Sequence, residues 1–448
     1  MPLFEYPELV FTQIALLILS GIWMLRRNDE LPLLSSTFVF YIASYRYWAV
    51  NSGINDWVKL GNLGFTPITK EAAVGALSYI VFGQICFLAT YMLQQTRVLP
   101  VIVPDGDRFF LQWLRPKVMF FGLFCLPVVV VIRARVSGQL AAGSSLAFEV
   151  SGYLYLFPMV LIGIATLILC IWKFGGLPSL RTKIAAIAIL WGVAYYTFTP
   201  TSRFQFLGWM LASGIILSSS YRPKTRLIIF AILAVIGISV FAITGAMRNP
   251  ELSGDALNQA AFERAFSAED ANMLDGFVLM QQVYPQRLDY SLGMEHLEIL
   301  MRPIPRSLWP GKPVGGYMNK LGLTINGGKG TLGISQSLFG SFYAEGGLIG
   351  IIVLSVIYAT ILASIVRHTT PLQPFASILV RAILSACLIP LLRGGDLPGI
   401  YAWFGMAFWP CFLLLWNKRA YFALKFPSSM GVHPSARMPL PENPYPYP

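Results

Sequence analysis

The chain has 448 residues, 56% of them hydrophobic and only 12% charged, with a net charge of +12 and a mean hydropathy of +0.62. A soluble domain carries about a quarter charged residues, so this composition excludes an ordinary water-soluble enzyme and describes a polytopic membrane protein. The apolar segments run for about 20 residues without alternation, which excludes a transmembrane β-barrel, and the positive balance reads as cytoplasmic loops rather than a nucleic-acid surface.

Apolar runs bounded by charge or by Pro/Gly clusters predict an all-α bundle of about eleven transmembrane helices. They fall roughly at 8–25, 32–50, 71–93, 117–133, 150–172, 184–199, 204–220, 227–247, 335–366, 375–392 and 398–416. The ninth is too long for one simple span, and its first turns, "SQSLFGSFYAEGG", read as a buried or interfacial lead-in. The first run has Glu5 and Glu8 ahead of it and Arg26-Arg27 behind, the reverse of a signal peptide's charge order. Cys86, Cys125, Cys170, Cys387 and Cys411 all fall in apolar segments, where cysteine serves as a small buried hydrophobe, so neither a disulfide nor a thiolate metal site is expected. The organisation is therefore 1–247 with helices one to eight, a large loop at 248–334, 335–416 with helices nine to eleven, and a tail at 417–448 ending in "PLPENPYPYP".

Lysine and arginine bias sets the orientation. With the N-terminus outside and the C-terminus inside, the inside loops and tail hold 17 basic residues and the short outside loops hold 6. The 248–334 loop is then external. In a bacterium this describes an inner-membrane protein with a periplasmic N-terminus and a cytoplasmic C-terminus.

The long loop is split by charge. Residues 248–298 hold nine acids against three arginines, whereas 299–344 hold five basic residues (Arg302, Arg306, Lys312, Lys320, Lys329) and no acid until Glu345. Phe262, Phe266, Met273, Leu274 and Phe277 recur at helical spacing, which suits an amphipathic helix lying on the bundle. In "MRPIPRSLWPGKP" prolines fix the backbone around Arg302, Arg306 and Lys312, and Trp309 suits the headgroup level. Arginine forks match phosphate oxygens, so this segment reads either as a phosphate clamp or as a solvated basic face near lipid phosphates.

Further arginines sit at outer helix ends, against the positive-inside bias. Arg203 lies in "TFTPTSRFQFLG", Arg393 in "PLLRGGDLPG" with Asp396 three residues on, and Arg133 with Arg135 in "VVVVIRARVSG". A partly buried guanidinium needs an anion, which for Arg393 could be Asp396 and for the others a ligand pyrophosphate. Arg46 and Arg381 lie within helices, Arg46 near the outer end where it can snorkel. His296, beside Glu295 and Glu298, is the one histidine on the outside and could be a general base or an ordinary surface residue. No H-E-x-x-H, paired CxxC or ligand-spaced carboxylate cluster is present, so neither a metal nor another cofactor is expected.

Two stretches carry a resemblance. "PIPRSLWPGKP" followed by "LGISQSLFGSFYAEGGLIG" is similar to the Wzy-type polymerases of lipid-linked oligosaccharide repeat units, and "TSRFQFLG" and "LRGGDLPG" occupy the places of that family's short arginine motifs. The likeness covers roughly 195–400; Thr201-Ser202-Arg203 stands where the family often has Gly-Thr-Arg or Gly-Ser-Arg. It implies an inverting, metal-independent glycosyltransferase of the GT-C type. Such an enzyme moves a growing glycan from polyprenyl pyrophosphate onto a new lipid-linked repeat, with a chain-length co-polymerase as partner. The residues then suggest Arg203, Arg302, Arg306 and Arg393 at the developing pyrophosphate charge, Lys312 and Arg133 behind them, and His296 or Glu345 at the acceptor hydroxyl.

An O-antigen ligase shares external arginines and a loop histidine, but the proline–tryptophan run favours the polymerase. An exporter or flippase for the same lipid should carry charges deep in its helices, and often an internal repeat; here no repeat is found, within-helix charges are nearly absent and the cations gather on one face. A non-catalytic scaffold would leave each arginine dispensable.

Overall fold

The computed structural model describes residues 7–103, 107–141, 156–197, 203–247, 251, 253–267, 271–302, 304, 308–309, 311, 317–321, 324–325, 330–331 and 334–423. The chain is a helical bundle. In order, α1 is Pro7–Arg27, α2 Leu31–Phe40, and α3 Arg46–Asn51, continuous with α2 through a π-turn at Tyr41–Tyr45. Then come α4 Lys70–Gln94, α5 Arg108–Ala141, α6 Val160–Lys173, α7 Leu180–Thr197, α8 Arg203–Ser218 and α9 Pro223–Ala246. The loop segment supplies α10 Gly254–Ser267, α11 Met273–Val283 and α12 Met294–Met301, followed by a helical turn at Tyr317–Lys320 and a two-residue antiparallel pairing of Thr324–Ile325 with Gly330–Thr331. Last are α13 Ser337–Thr369, α14 Pro374–Arg393, α15 Leu397–Asn417 and a short helix at Arg419–Ala423.

Helix starts follow local chemistry. Proline opens α9 and α14, where the missing N–H belongs to the unpaired first turn, and the Thr69 hydroxyl accepts the Ala72 N–H at the start of α4. Among the described residues, seven helices are long and apolar enough to cross a membrane: Glu8–Arg27, Lys70–Gln94, Arg108–Ala134, Pro223–Ala246, Ser337–Thr369, Pro374–Arg393 and Leu397–Asn417. The expected spans at 32–50, 150–172, 184–199 and 204–220 are also helical over their described parts, but interrupted, shorter or less apolar.

The core forms around α6, which is buried on every face from Val160 to Ile171 and packs against α5, α8, α14 and α15. Small residues bring backbones together: Gly163 lies against the Ala407 carbonyl of α15, and Gly208 of α8 against Ala386 of α14. All five cysteines are free; Cys125, Cys170 and Cys411 are buried, and Cys86 and Cys387 half-buried.

Hydrogen bonds define two ends of the bundle. At one, Arg27 reaches the Thr96 carbonyl, Lys173 the Leu217 carbonyl, Arg97 the Arg367 carbonyl, and Tyr421 donates to Asp107. These are turns assigned to the inside by charge, and we call this the basic end. At the other, the loop end, Asn55 donates to the Ser267 carbonyl, Gln282 meets Thr66, and Arg287 reaches the Gly64 carbonyl.

Three expectations are corrected. The helical pattern of 262–277 is two helices: α10 leaves Phe262 and Phe266 exposed at 68% and 53%, whereas α11 is almost wholly buried against α4 and α13. Its length of apolar residues is satisfied inside the bundle, not on its surface. Arg46 does not snorkel. It is buried, and its guanidinium pairs with Asp275 of α11 at 2.8 Å and donates to the Asp56 carbonyl.

The third correction concerns charge inside the bundle, which is more extensive than the near-absence expected. At the basic end Glu30 lies between Arg226 (2.8 Å) and Arg381, all three buried, with the Asn28 carbonyl accepting from both guanidiniums. Burial alone would raise Glu30, but the two cations overcome it and hold the carboxyl at about 2. Asp29 accepts from Tyr91 and Trp23, and burial beside Glu30 pushes it up to about 6.

Candidate functional site

The site grows from a reversal in α13. At Gly346-Gly347 the backbone leaves the helix, and Gly347 has a φ of +62°, a left-handed value that favours glycine. A straight helix would separate Phe342 and Tyr358 by roughly 24 Å. Their rings are instead 5.0 Å apart, and Gly350 meets the Phe342 carbonyl, so Ser337–Glu345 folds back beside the rest of α13. The "SQSLFGSFYAEGG" lead-in is accordingly buried from Ser335 to Phe342.

The "RGGD" turn after α14 lies against the beginning of that folded-back segment. Gly394 has a φ of +70°, and a side chain there would run into the Ser337 carbonyl; the Gly395 carbonyl accepts from Gln336 at 3.0 Å. Asp396 faces Arg302 at 3.6 Å. The arginine of the proline-rich segment, the "SQS" turn and the "RGGD" turn are therefore physically joined, although Gln336 and Gly395 are 59 residues apart in the chain and Arg302 and Asp396 about 90.

Arg203 opens α8, which packs along α14. Gly208 lies against Ala386, while Ser218 and Arg381 both reach the Arg226–Glu30 pair, so the helices run antiparallel. The α-carbon of Arg203 then lies about 8 Å and that of Arg393 about 11 Å above the Gly208 crossing, both toward the loop end. The backbone thus brings Arg203, Arg393 and Arg302 to one end on neighbouring elements. Trp309 is exposed there. Arg306 and Lys312 lie outside the described residues. Arg133 is half-buried, donates to the Tyr196 carbonyl and sits over the Tyr196 ring at 5.3 Å, which caps the end of α7.

His296, on α12, is drawn into this end as well. Its Nδ1 lies 2.8 Å from Glu345 Oε1, and its Nε2 lies 2.9 Å from the Tyr358 hydroxyl. Glu345 is nearly buried and held by the 291–293 turn, where Gly293 N–H donates to its Oε2 and Leu292 N–H to its backbone carbonyl. A carboxylate only accepts, so Nδ1 carries the hydrogen and Nε2 is left as the basic nitrogen. The side chain is half-buried, with both ring nitrogens engaged.

Beneath the dyad, Glu295 is buried with its Oε2 lacking a hydrogen-bond partner among the described residues. Burial pushes its carboxyl up to about 8; Lys320 opposes this, and Glu345, Glu298 and Asp396 add to it. Glu298, one turn along α12, pairs with Lys320 at 3.4 Å. Sequence reasoning missed Tyr358 and Glu295. Tyr358 carries no motif, and its neighbourhood depends on the Gly346-Gly347 reversal; the Gly-Gly pair was the available signal.

Chemically, the loop end offers the Arg302–Asp396 ion pair and, on the adjoining α12, an imidazole oriented by a carboxylate. No protein-family model, curated protein or solved structure matches the chain.

Proposed function

We propose that the protein is a polysaccharide polymerase, an inverting glycosyltransferase of the GT-C type that spans a bacterial inner membrane about eleven times. It transfers a growing glycan from polyprenyl pyrophosphate onto a lipid-linked oligosaccharide repeat at the periplasmic face. The observation that carries this reading is the joining of Arg302, Asp396 and the "SQS" and "RGGD" turns beside the His296–Glu345 pair. The two turns lie in stretches on which the resemblance rests, Arg302 immediately precedes "PIPRSLWPGKP", and they meet at the end opposite the basic one.

Pyrophosphate is the leaving group. Cations fixed where its charge develops stabilise the transition state more than the ground state, since they need no reorganisation. Arg203, Arg302, Arg306 and Arg393 take this role, with Lys312 beside them and Trp309 at the headgroups. His296, aligned by Glu345, takes the acceptor proton. A cavity of about 310 Å³ between α2, α8, α9 and α14 supports a lipid substrate. It is lined by α9 from Leu227 to Phe241, roughly 21 Å of helix, and at the loop side by Leu207, one turn from Arg203. An apolar wall of this kind suits an isoprenoid tail. A chain-length co-polymerase is the expected partner.

The test is reconstitution in lipid nanodiscs with a synthetic polyprenyl-pyrophosphate-linked oligosaccharide as sole substrate. Products growing by whole repeats, without nucleotide sugar and in the presence of a chelator, support the reading. Unchanged substrate in the presence of the correct repeat contradicts it.

One observation favours an exporter or flippase as second reading: Arg381, inside α14, is buried and paired with Glu30, which also holds Arg226 at the basic end. An exporter would move the same lipid across vesicles without extending it.

A further inference from the structure

We propose that Tyr358 is a catalytic residue that relays the acceptor's proton to His296. This rests on the transferase reading above. Both nitrogens of His296 are engaged: Glu345 holds Nδ1 at 2.8 Å, and the only basic nitrogen, Nε2, is covered by the Tyr358 hydroxyl at 2.9 Å. An acceptor hydroxyl therefore reaches the base through the Tyr358 oxygen unless that ring moves away.

The ring is packed against moving. Phe342 lies 5.0 Å from it, the His296 ring stands edge-on at 5.7 Å, and the Tyr401 side chain from α15 hydrogen-bonds to it. The order is thus Glu345, His296, Tyr358, Tyr401, running from the Gly346-Gly347 reversal to the start of α15. A phenol is suited to this task because its oxygen can accept one proton as it gives up another.

The step balances as follows. The acceptor oxygen forms a bond to the anomeric carbon of the donor glycan, and the bond from that carbon to pyrophosphate breaks, its electron pair leaving with the pyrophosphate. The acceptor proton passes to the Tyr358 oxygen while the Tyr358 proton passes to His296 Nε2. The resulting imidazolium is held by the Glu345 carboxylate and later loses its proton to water. Glu295 is the other carboxylate near Tyr358, and the contact recorded for His296 Nε2 runs to the Tyr358 hydroxyl.

The experiment uses the full chain in nanodiscs with the synthetic lipid-linked repeat, followed under single-turnover conditions in water and in mixtures with heavy water. Tyr358→Phe keeps the ring packing and removes only the hydroxyl. The expected result is a roughly 100-fold slower transfer step with acceptor KM within about twofold. The wild type is expected to show a curved dependence of rate on deuterium fraction, from two protons in flight, and Tyr358→Phe a linear one. A Tyr358→Phe variant with wild-type rate and an unchanged curve overturns the relay. His296→Ala run in parallel separates the two levels: full activity there overturns the base assignment itself, whereas loss there with a silent Tyr358→Phe overturns the relay alone.

Discussion

His296 and Glu345 are 49 residues apart in the chain and 2.8 Å apart in the fold. The pairing exists because α13 reverses at Gly346-Gly347 and presents Glu345 to the turn that begins α12. Replacing His296 with Ala should lower transfer by about 100- to 10,000-fold, the usual worth of a general base. Glu345→Gln keeps the shape but loses the anion that stabilises the imidazolium, so it should fall between that variant and wild type. Both are read as polymer formed per unit of membrane-inserted protein; equal activity in all three proteins contradicts the assignment.

The arginines make a separate prediction. Arg203→Ala and Arg306→Ala should each abolish polymer while the protein still inserts and accumulates, with an in vitro loss of roughly 100- to 1,000-fold. Arg393→Ala should behave alike. Arg133→Ala, which removes a cap on the end of α7, should instead show its effect in stability. Normal polymer length in the Arg203 and Arg306 variants excludes the clamp and leaves a scaffold.

Glu295 makes the loop end sensitive to pH. Its carboxyl is raised from an ordinary 4.5 to about 8, so the folded form binds more protons than the unfolded form across that window. Stability at α12 is therefore present at low pH and is lost as pH rises toward and through about 8. Hydrogen exchange over 294–301 should speed up in that range beyond its intrinsic base dependence. Glu295→Gln, which cannot ionise, should remove that excess; an unchanged excess means that Glu295 is not its source.

At the basic end, Glu30→Gln would leave Arg226 and Arg381 buried side by side without their anion. Losing one partner of a buried ionic pair costs about 3–5 kcal/mol, enough to deplete the protein from the membrane. Thermal unfolding of the solubilised protein measures it. A variant that melts like wild type but no longer handles its lipid would instead mark the cluster as functional, in line with an exporter.

Gly394→Ala tests the joint between the motifs. The φ of +70° and the Ser337 carbonyl together leave no room for a methyl group, so the "RGGD" turn must shift and take Asp396 from Arg302. Activity should fall sharply with little change in expression. Wild-type activity would show that this joint does not position the site.

Much of the bundle was legible because membrane helices are written as long apolar runs, and the charge bias correctly gathered the turns of the basic end. The lead-in to α13 was also readable, as buried or interfacial, because the ninth apolar run is too long for one span. Other features were not, for a common physical reason: burial of α11 and pairing of Arg46 with Asp275, or of Glu30 with two arginines, depend on contacts between residues about 200 to 350 apart. Hydrophobic periodicity says that α11 has an apolar face but not that both faces are covered. Likewise, His296 and Glu345 could each be singled out as candidates by type and position, whereas their contact, and the Tyr358 hydroxyl on the far side, arise only from the chain reversal.

The most direct measurement is on lipid-linked intermediates extracted from cells lacking this protein, sized by mass spectrometry and assigned to a leaflet. Polymerisation as the missing step predicts a polyprenyl pyrophosphate bearing one repeat, accumulated on the outer leaflet, with no polymer. Full-length lipid-linked polymer would contradict it in favour of ligation, and a single repeat trapped on the inner leaflet would contradict it in favour of transport.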